Sequence, residues 1–302
     1  MLAGGAAAVT VVLWASAFVA IRHVGQEMSA GALSLGRLLV GSVLLGIFVF
    51  TRPRRWPAKG DWKFLLACGL LWFGAYNLAL NAAERHLDAG TTAMLVNIGP
   101  LLIALLAGVF LQEGFPRQLV IGSAVAFGGV VLIGLSSSSG GAETWGVVLC
   151  LAAAAAYAIG VVSQKPLLAR LPALEVTWLS CVIGAVACLP FGPALVREVQ
   201  PSTIWWVVFL GAFPTAIAFT TWAYALARTT AGRMGATTYL VPPITIFLGW
   251  LLLGESPAPL AYVGGLLCLL GVAVSRYRRR ATVAPTPAVN VSSPDSKPLS
   301  KS

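Results

Sequence analysis

The sequence predicts an all-α integral membrane protein, ten transmembrane helices arranged as two inverted five-helix repeats, and three observations carry that reading. Charge is scarce: of 302 residues 58% are hydrophobic and 10% charged, against about 25% charged in soluble domains, and mean hydropathy is +0.86. Apolar runs of about 18 to 22 residues recur along the chain, each enough to cross a hydrocarbon core of ~30 Å at 1.5 Å per residue. A shift of the sequence against itself by 142 residues brings like residues together over about 40 positions. Lipid offers backbone groups no external partner, so such runs must be bundled helices.

In order, the runs cover about 5–25, 30–50, 63–83, 89–112, 117–136, 144–164, 173–192, 203–227, 232–254 and 258–275. The first lacks a basic leader and is followed by Ile21-Arg22-His23 without a cleavage site, so it reads as a retained span. The second carries Arg37, the third an aromatic and amide stripe, and the fourth a break at Pro100. The fifth and tenth hold small residues at four-residue spacing, Ala124 with Gly128 and Ala261 with Gly265, which suits close packing or a homodimer surface. Cys68, Cys150, Cys181, Cys188 and Cys268 all fall within apolar runs and read as small hydrophobes. The segment 276–302 is polar and Pro/Ser-rich, a composition that cannot bury a core.

Alternating the loops between two sides sorts the basic residues. One side holds Arg52, Arg54, Arg55, Lys59, Lys63, Arg117, Lys165, Arg170, Arg228, Arg233, Arg276, Arg278, Arg279, Arg280, Lys297 and Lys301; the other holds Arg22, Arg85 and Arg197. The positive-inside rule then places both termini in the cytoplasm of a multi-pass inner (plasma) membrane protein. The net charge of +10 is thereby explained by orientation and contact with anionic membrane lipids, without nucleic acid as a partner.

The shift of 142 aligns Ala89 with Ala231, Gly90 with Gly232, Pro100 with Pro242, Glu113 with Glu255, Gly122 with Gly264 and Gly129 with Gly271. A shift of 143 pairs Trp14 with Tyr157, Ala15 with Ala158, Val19 with Val162 and Arg22 with Lys165. A duplication follows, with residues 1–138 as the first five-helix unit, 139–275 as the second and 276–302 as the tail. Because five is odd, the second copy enters the membrane from the opposite side, and inverted copies can exchange conformations to open a central site alternately to each face.

The segments Leu13-Trp14-Ala15-Ser16-Ala17-Phe18, Gly90-Thr91-Thr92-Ala93, Gly99-Pro100-Leu101 and Leu111-Gln112-Glu113, with their counterparts Leu253-Gly254-Glu255 and Gly264, resemble the EamA-type branch of the drug/metabolite transporter superfamily. The resemblance covers about residues 5–275. It implies a ten-helix basket with a central cavity lined mainly by spans 1, 3, 4, 6, 8 and 9, and export of amino acids, related metabolites or drugs.

Candidate substrate-binding residues come from polar and aromatic groups near mid-span. Trp72 and Tyr76, and Asn77 and Asn81, are spaced i, i+4 on span 3, a seam that suits an amphipathic solute but also suits helix packing. Asn97 precedes Pro100, and Tyr239 precedes Pro242 and Pro243. Proline frees carbonyls near Val96 and Thr238, which marks either a transport site or a structural kink. Trp14 and Ser16 sit opposite Tyr157 through the repeat, and on span 8 Pro214 precedes Thr220, Trp222 and Tyr224. Arg37 is the charge within a span, and three roles stay open to it: binding a substrate carboxylate, snorkelling outward, or satisfying carbonyls to hold register. Glu113 and Glu255 fall at matched span ends and suit anchoring or gating.

No carboxylate falls near mid-membrane, no phosphate-binding glycine loop is present, and His23 and His86 form no metal pair. No cofactor, metal or catalytic residue is therefore expected. The reading that follows is a transporter exporting or exchanging small metabolites such as amino acids by alternating access, with a multidrug exporter as runner-up. A membrane-embedded enzyme or a scaffold is the alternative of another class; an enzyme would need clustered reactive groups that the sequence scatters.

Overall fold

The computed structural model describes residues 2–53, 55–110, 117–136, 141–229 and 231–276. Glu113, the segment from 277 onward and the unit boundary at 138/139 lie outside the described residues. Those residues form helices and no strand: α1 (Leu2–Val24), α2 (Ala30–Phe50), α3 (Lys59–Ala83), α4 (Ala89–Val96), α5 (Gly99–Phe110), α6 (Arg117–Ser136), α7 (Gly141–Leu167), α8 (Ala173–Cys188), α9 (Gly192–Glu198), α10 (Pro201–Ala227), α11 (Ala231–Thr237), α12 (Val241–Leu253) and α13 (Pro259–Arg276).

Among the described residues six helices are long and apolar enough to cross a membrane: α1, α2, α3, the α4–α5 pair, α7 over Glu143–Leu167, and α10. The pair Ala173–Ala187 and Leu189–Glu198, bent by 53°, makes a seventh when read as one span. Exposed apolar side chains cover outer helix faces, such as Val43, Ile47, Phe48 and Phe50 on α2 and Phe247, Trp250, Leu251 and Leu252 on the shorter α12. A surface of that kind is stable against lipid and not against water.

Local chemistry sets the helix ends. The Ser29 hydroxyl accepts from Ala32 N at 3.4 Å to start α2. Asp88 starts α4, its carboxylate accepting from Thr91 N at 2.8 Å and from the Thr91 hydroxyl at 2.6 Å; each acceptor satisfies a donor that the first helical turn leaves free. Gly254 closes α12 at φ 66°, a left-handed conformation that costs other residues a Cβ clash.

Two helices depart from regular pitch and two spans are broken. α3 winds as π-helix over Cys68–Ala75, and α10 does so over Gly211–Ile217 around Pro214. The α4–α5 span breaks at Asn97 and Ile98, with Pro100 at the start of α5. α11 passes through a tight turn, Thr238–Leu240, into α12, which opens on Val241, Pro242 and Pro243. Proline accounts for three of these four places, because it removes a donor and collides with the preceding turn.

α1 and α10 run antiparallel: the hydroxyls of Thr10 and Thr221 meet at 2.8 Å, while the His23 and Trp206 rings meet at 5.0 Å. α6 and α13 pack tightly where Gly129 faces Gly264; a Cβ on Gly264 would sit 2.7 Å from the Gly129 carbonyl oxygen. Small residues there let two backbones approach closely, the main source of helix affinity in lipid.

Candidate substrate cavity

The irregular stretches converge on one cavity. Its wall is built from Trp14, Ala17 and Phe18 of α1, Arg37 of α2, Trp72, Tyr76 and Leu80 of α3, Ala93, Val96 and Asn97 of the α4–α5 span, Tyr157 of α7, Phe219 of α10, and Thr238 and Val241 at the α11–α12 turn. The space between these side chains is about 560 Å³ with the open solvent at its mouth included.

Most of the wall is aromatic. Trp14 lies 6.2 Å from Trp72, 6.3 Å from Tyr157 and 5.4 Å from Phe219, centroid to centroid, and Trp72 lies 5.3 Å from Tyr157. Trp222, buried behind them, is 4.9 Å from Trp14. Edge and tilted contacts of this type lock the rings without filling the space between them. Gly99 makes room for Tyr157, since a Cβ there would fall 2.5 Å from its ring.

Polar groups in the wall are mainly donors in want of acceptors. Arg37 is 3% exposed; its Nε donates to the Thr215 hydroxyl at 3.1 Å, and its Nη1 has no protein partner. Trp14 Nε1 and Asn97 Nδ2 are likewise buried without partners. Asn97 Oδ1 accepts from the Thr238 hydroxyl at 3.3 Å, so the two broken spans touch at the cavity. A buried donor left unsatisfied costs ~1–3 kcal/mol, more when charged, and a solute bringing oxygen acceptors removes that cost. The arrangement therefore suits a carboxylate on Arg37 with the apolar or cationic remainder against the rings.

Of the residues singled out from sequence, Trp14, Arg37, Trp72, Tyr76, Asn97 and Tyr157 come together here. Ser16 does not line the cavity and donates to Leu13 O at 2.8 Å. Asn77 is buried beside it and donates to Phe73 O at 2.7 Å, while Tyr239 packs into the neighbouring apolar core. Asn81 donates to the Ser34 hydroxyl at 2.9 Å and so ties α3 to α2. Pro100 is buried and Pro243 faces outward, both at helix starts and away from the wall. Glu255 pairs with Arg22 at 2.7 Å.

Three features escaped the sequence reading. Phe219 and Phe18 line the cavity but looked like ordinary span residues, and Thr238, noted for its carbonyl, reaches the wall with its side chain. The paired π-turns have no signature in sequence except Pro214. Glu84, one residue past α3, resembled a loop charge but is 1% exposed.

The EamA-like transporter family matches the chain twice, over residues 2–135 and 144–277. The chain belongs to that family. Among its relatives, a probable terminal-alkyne amino-acid exporter of Streptantibioticus cattleyicolor is 39% identical over 272 residues, covering 89% of this chain and 91% of that one. The uncharacterized transporter YdfC of Bacillus subtilis is 30% identical over 263 residues, covering 86% of each chain. A solved crystal structure superposes with a TM-score of 0.67 at 21% identity, covering 91% of this EamA protein and 96% of that chain, which supports the fold.

Proposed function

We propose that this EamA transporter exports or exchanges amino acids by alternating access, binding them in the aromatic cavity with the carboxylate on Arg37. The observation that carries the proposal is the set of unpartnered buried donors, Arg37 Nη1, Trp14 Nε1 and Asn97 Nδ2, beside an aromatic wall. A zwitterion with an apolar side chain meets both halves of that chemistry: its carboxylate takes the donors, and its ammonium and side chain take the ring faces. The relative named as a terminal-alkyne amino-acid exporter points to the same substrate class, with a small rigid side chain.

We further read the chain as ten spans in two inverted five-helix units, in the inner membrane with both termini cytoplasmic. The π-turns beginning at Cys68 and Gly211, and the breaks at Asn97 and Thr238, recur at nearly the offset seen in sequence. So does a cation at each end. Arg22 Nη1 donates to the carbonyl of Glu84 at 2.7 Å, and Lys165 Nζ donates to that of Leu226 at 2.7 Å. The antiparallel course of α1 and α10 puts these two bonds at opposite ends of the bundle, where they act as alternating gates.

Counterflow in proteoliposomes preloaded with amino acids, nucleosides or cationic dyes tests the reading. Saturable counterflow of amino acids, propargylglycine among them, is the expected result. Counterflow of nucleosides or dyes alone would contradict the substrate class, and none of any solute in folded protein would contradict carriage.

A further inference from the structure

The side chain of Glu84 has no part in the transport cycle just described, which uses its backbone carbonyl, yet its carboxyl group is buried and neither carboxyl oxygen has a hydrogen-bond partner. Its position is not that of a stray loop charge. Trp72, Tyr76 and Leu80 present a row to the cavity at four-residue intervals, and Glu84 continues that row one turn further, ~6 Å along the axis from Leu80. The nearest guanidinium is engaged elsewhere: Arg22 bonds through Nε to Glu255 at 2.7 Å and through Nη1 to the backbone carbonyl of Glu84, not to its carboxylate.

The charged and titratable groups that act on Glu84 come from every element around it. They are Arg22 on α1, Arg37 on α2, Tyr76 on α3, Asp88 ahead of α4, Cys150 on α7 and Glu255 after α12. Burial pushes the Glu84 carboxyl well above the usual carboxylate range; Arg22 and Arg37 oppose that shift, and Glu255 and Asp88 add to it. A buried carboxylate with no partner is resolved most simply by taking a proton.

We propose that Glu84 is a proton-binding site linked to the cavity, such that its protonation and the binding of a carboxylate-bearing solute reinforce each other. The inference rests on the cavity reading above. Ionised Glu84 places a negative charge in the field of Arg37 and disfavours a second carboxylate there. Neutral Glu84 leaves the guanidinium to the solute. By reciprocity the bound solute raises the proton affinity of Glu84, so solute and proton are taken up together. The sign is then fixed: affinity is highest on the acid side of the Glu84 titration, falls as pH rises through it, and levels off beyond. For like charges ~10 Å apart at an effective dielectric of ~20, the difference is on the order of tenfold.

Two measurements on the purified full chain in lipid nanodiscs test this. Infrared difference titration of the solute-free protein should show a carboxyl C=O band that disappears with pH above the ordinary carboxylate range and is missing from Glu84→Gln. Binding of propargylglycine, read by tryptophan fluorescence below the pH at which its own ammonium titrates, should weaken about tenfold across the same range. Glu84→Gln should keep the acid-side affinity throughout, and but-3-yn-1-amine, which lacks the carboxylate, should show no such dependence. The Gln variant is expected to bind more tightly at high pH, an outcome that misfolding cannot imitate. Identical pH profiles for wild type and Glu84→Gln, or no band sensitive to the substitution, would overturn the proposal. If propargylglycine binds at no pH, the amino-acid reading fails and the infrared titration decides the proton site alone.

Discussion

The guanidinium of Arg22 donates to the backbone carbonyl of Glu84 at 2.7 Å. Glu84 is the C-terminal cap of α3, where the last carbonyls lack helical partners and the negative end of the helix dipole lies. Lys165 reaches the end of α10 in the same manner, donating to Leu226 O at 2.7 Å and to Thr229 O at 2.6 Å. On the proposed alternating-access reading, two such caps at opposite ends serve an exchange in which one releases while the other holds.

Loss of one cap should bias the exchange. In an Ala93→Cys background, which puts a thiol on the cavity wall, Arg22→Gln should speed labelling by an impermeant maleimide from the Arg22 side and slow it from the other. Lys165→Gln should do the reverse. Charge-assisted hydrogen bonds are worth ~1.5–3 kcal/mol, so the labelling ratio should shift roughly tenfold or more. Both variants shifting the ratio in one direction would contradict paired gates.

Arg37 separates a binding role from a structural one. A carboxylate contact predicts that Arg37→Gln weakens amino-acid affinity by about ten- to a hundredfold, while thermal stability in detergent holds or rises because a half-partnered buried charge is gone. Arg37→Lys should recover little, since an ammonium lacks the fork that serves Thr215 and a solute together. A large loss of stability in Arg37→Gln with affinity retained would assign the residue to helix register.

The cavity reading also makes Tyr76→Ala and Asn97→Ala transport-defective but folded. Each removes a wall side chain, and the cap bonds that Asn97 makes at the end of α4 run through its backbone N–H, so counterflow should fall several-fold while melting in detergent changes little. Asn77→Ala, whose amide bonds only within α3, should be closer to wild type in transport. Normal counterflow in both Tyr76→Ala and Asn97→Ala would place the solute elsewhere.

Much of this was legible in sequence because membrane folding writes its constraints locally. Six spans, or seven with the bent pair, follow from apolar length among the described residues, the breaks from Pro100, Pro242 and Pro243, and the polar wall from Arg37 and Asn97, whose cost in lipid demands a reason. What could not be read depends on rotation of one helix against another. Trp72, Tyr76 and Leu80 on α3 face the cavity and Asn77 does not; spacing groups Trp72 with Tyr76 but cannot say which way that row is turned, and the π-helical stretch Cys68–Ala75 shifts its phase against the rest of α3. Phe219 and Thr238 are placed by tertiary contact alone. Glu84 was hidden for a related reason, because a residue one past a span is buried only if other loops close over it.

Packing at Gly264 is the test of the scaffold. Gly264→Val would press a side chain on the Gly129 carbonyl and on Ile133, and overpacking of this sort costs ~1–3 kcal/mol. The melting temperature in detergent should drop by several degrees. Among the described residues, none on α6 or α13 lines the cavity, so affinity in the surviving folded fraction should be unchanged; an unchanged melting temperature would contradict the close α6–α13 contact.

The most direct measurement is a crystal structure of the full chain with an amino acid carrying bromine at the end of its side chain, located by anomalous scattering. The account predicts one bromine peak among Trp14, Trp72 and Tyr157, with the carboxylate on Arg37 Nη1. A peak outside that wall, or a carboxylate turned away from Arg37, would contradict it.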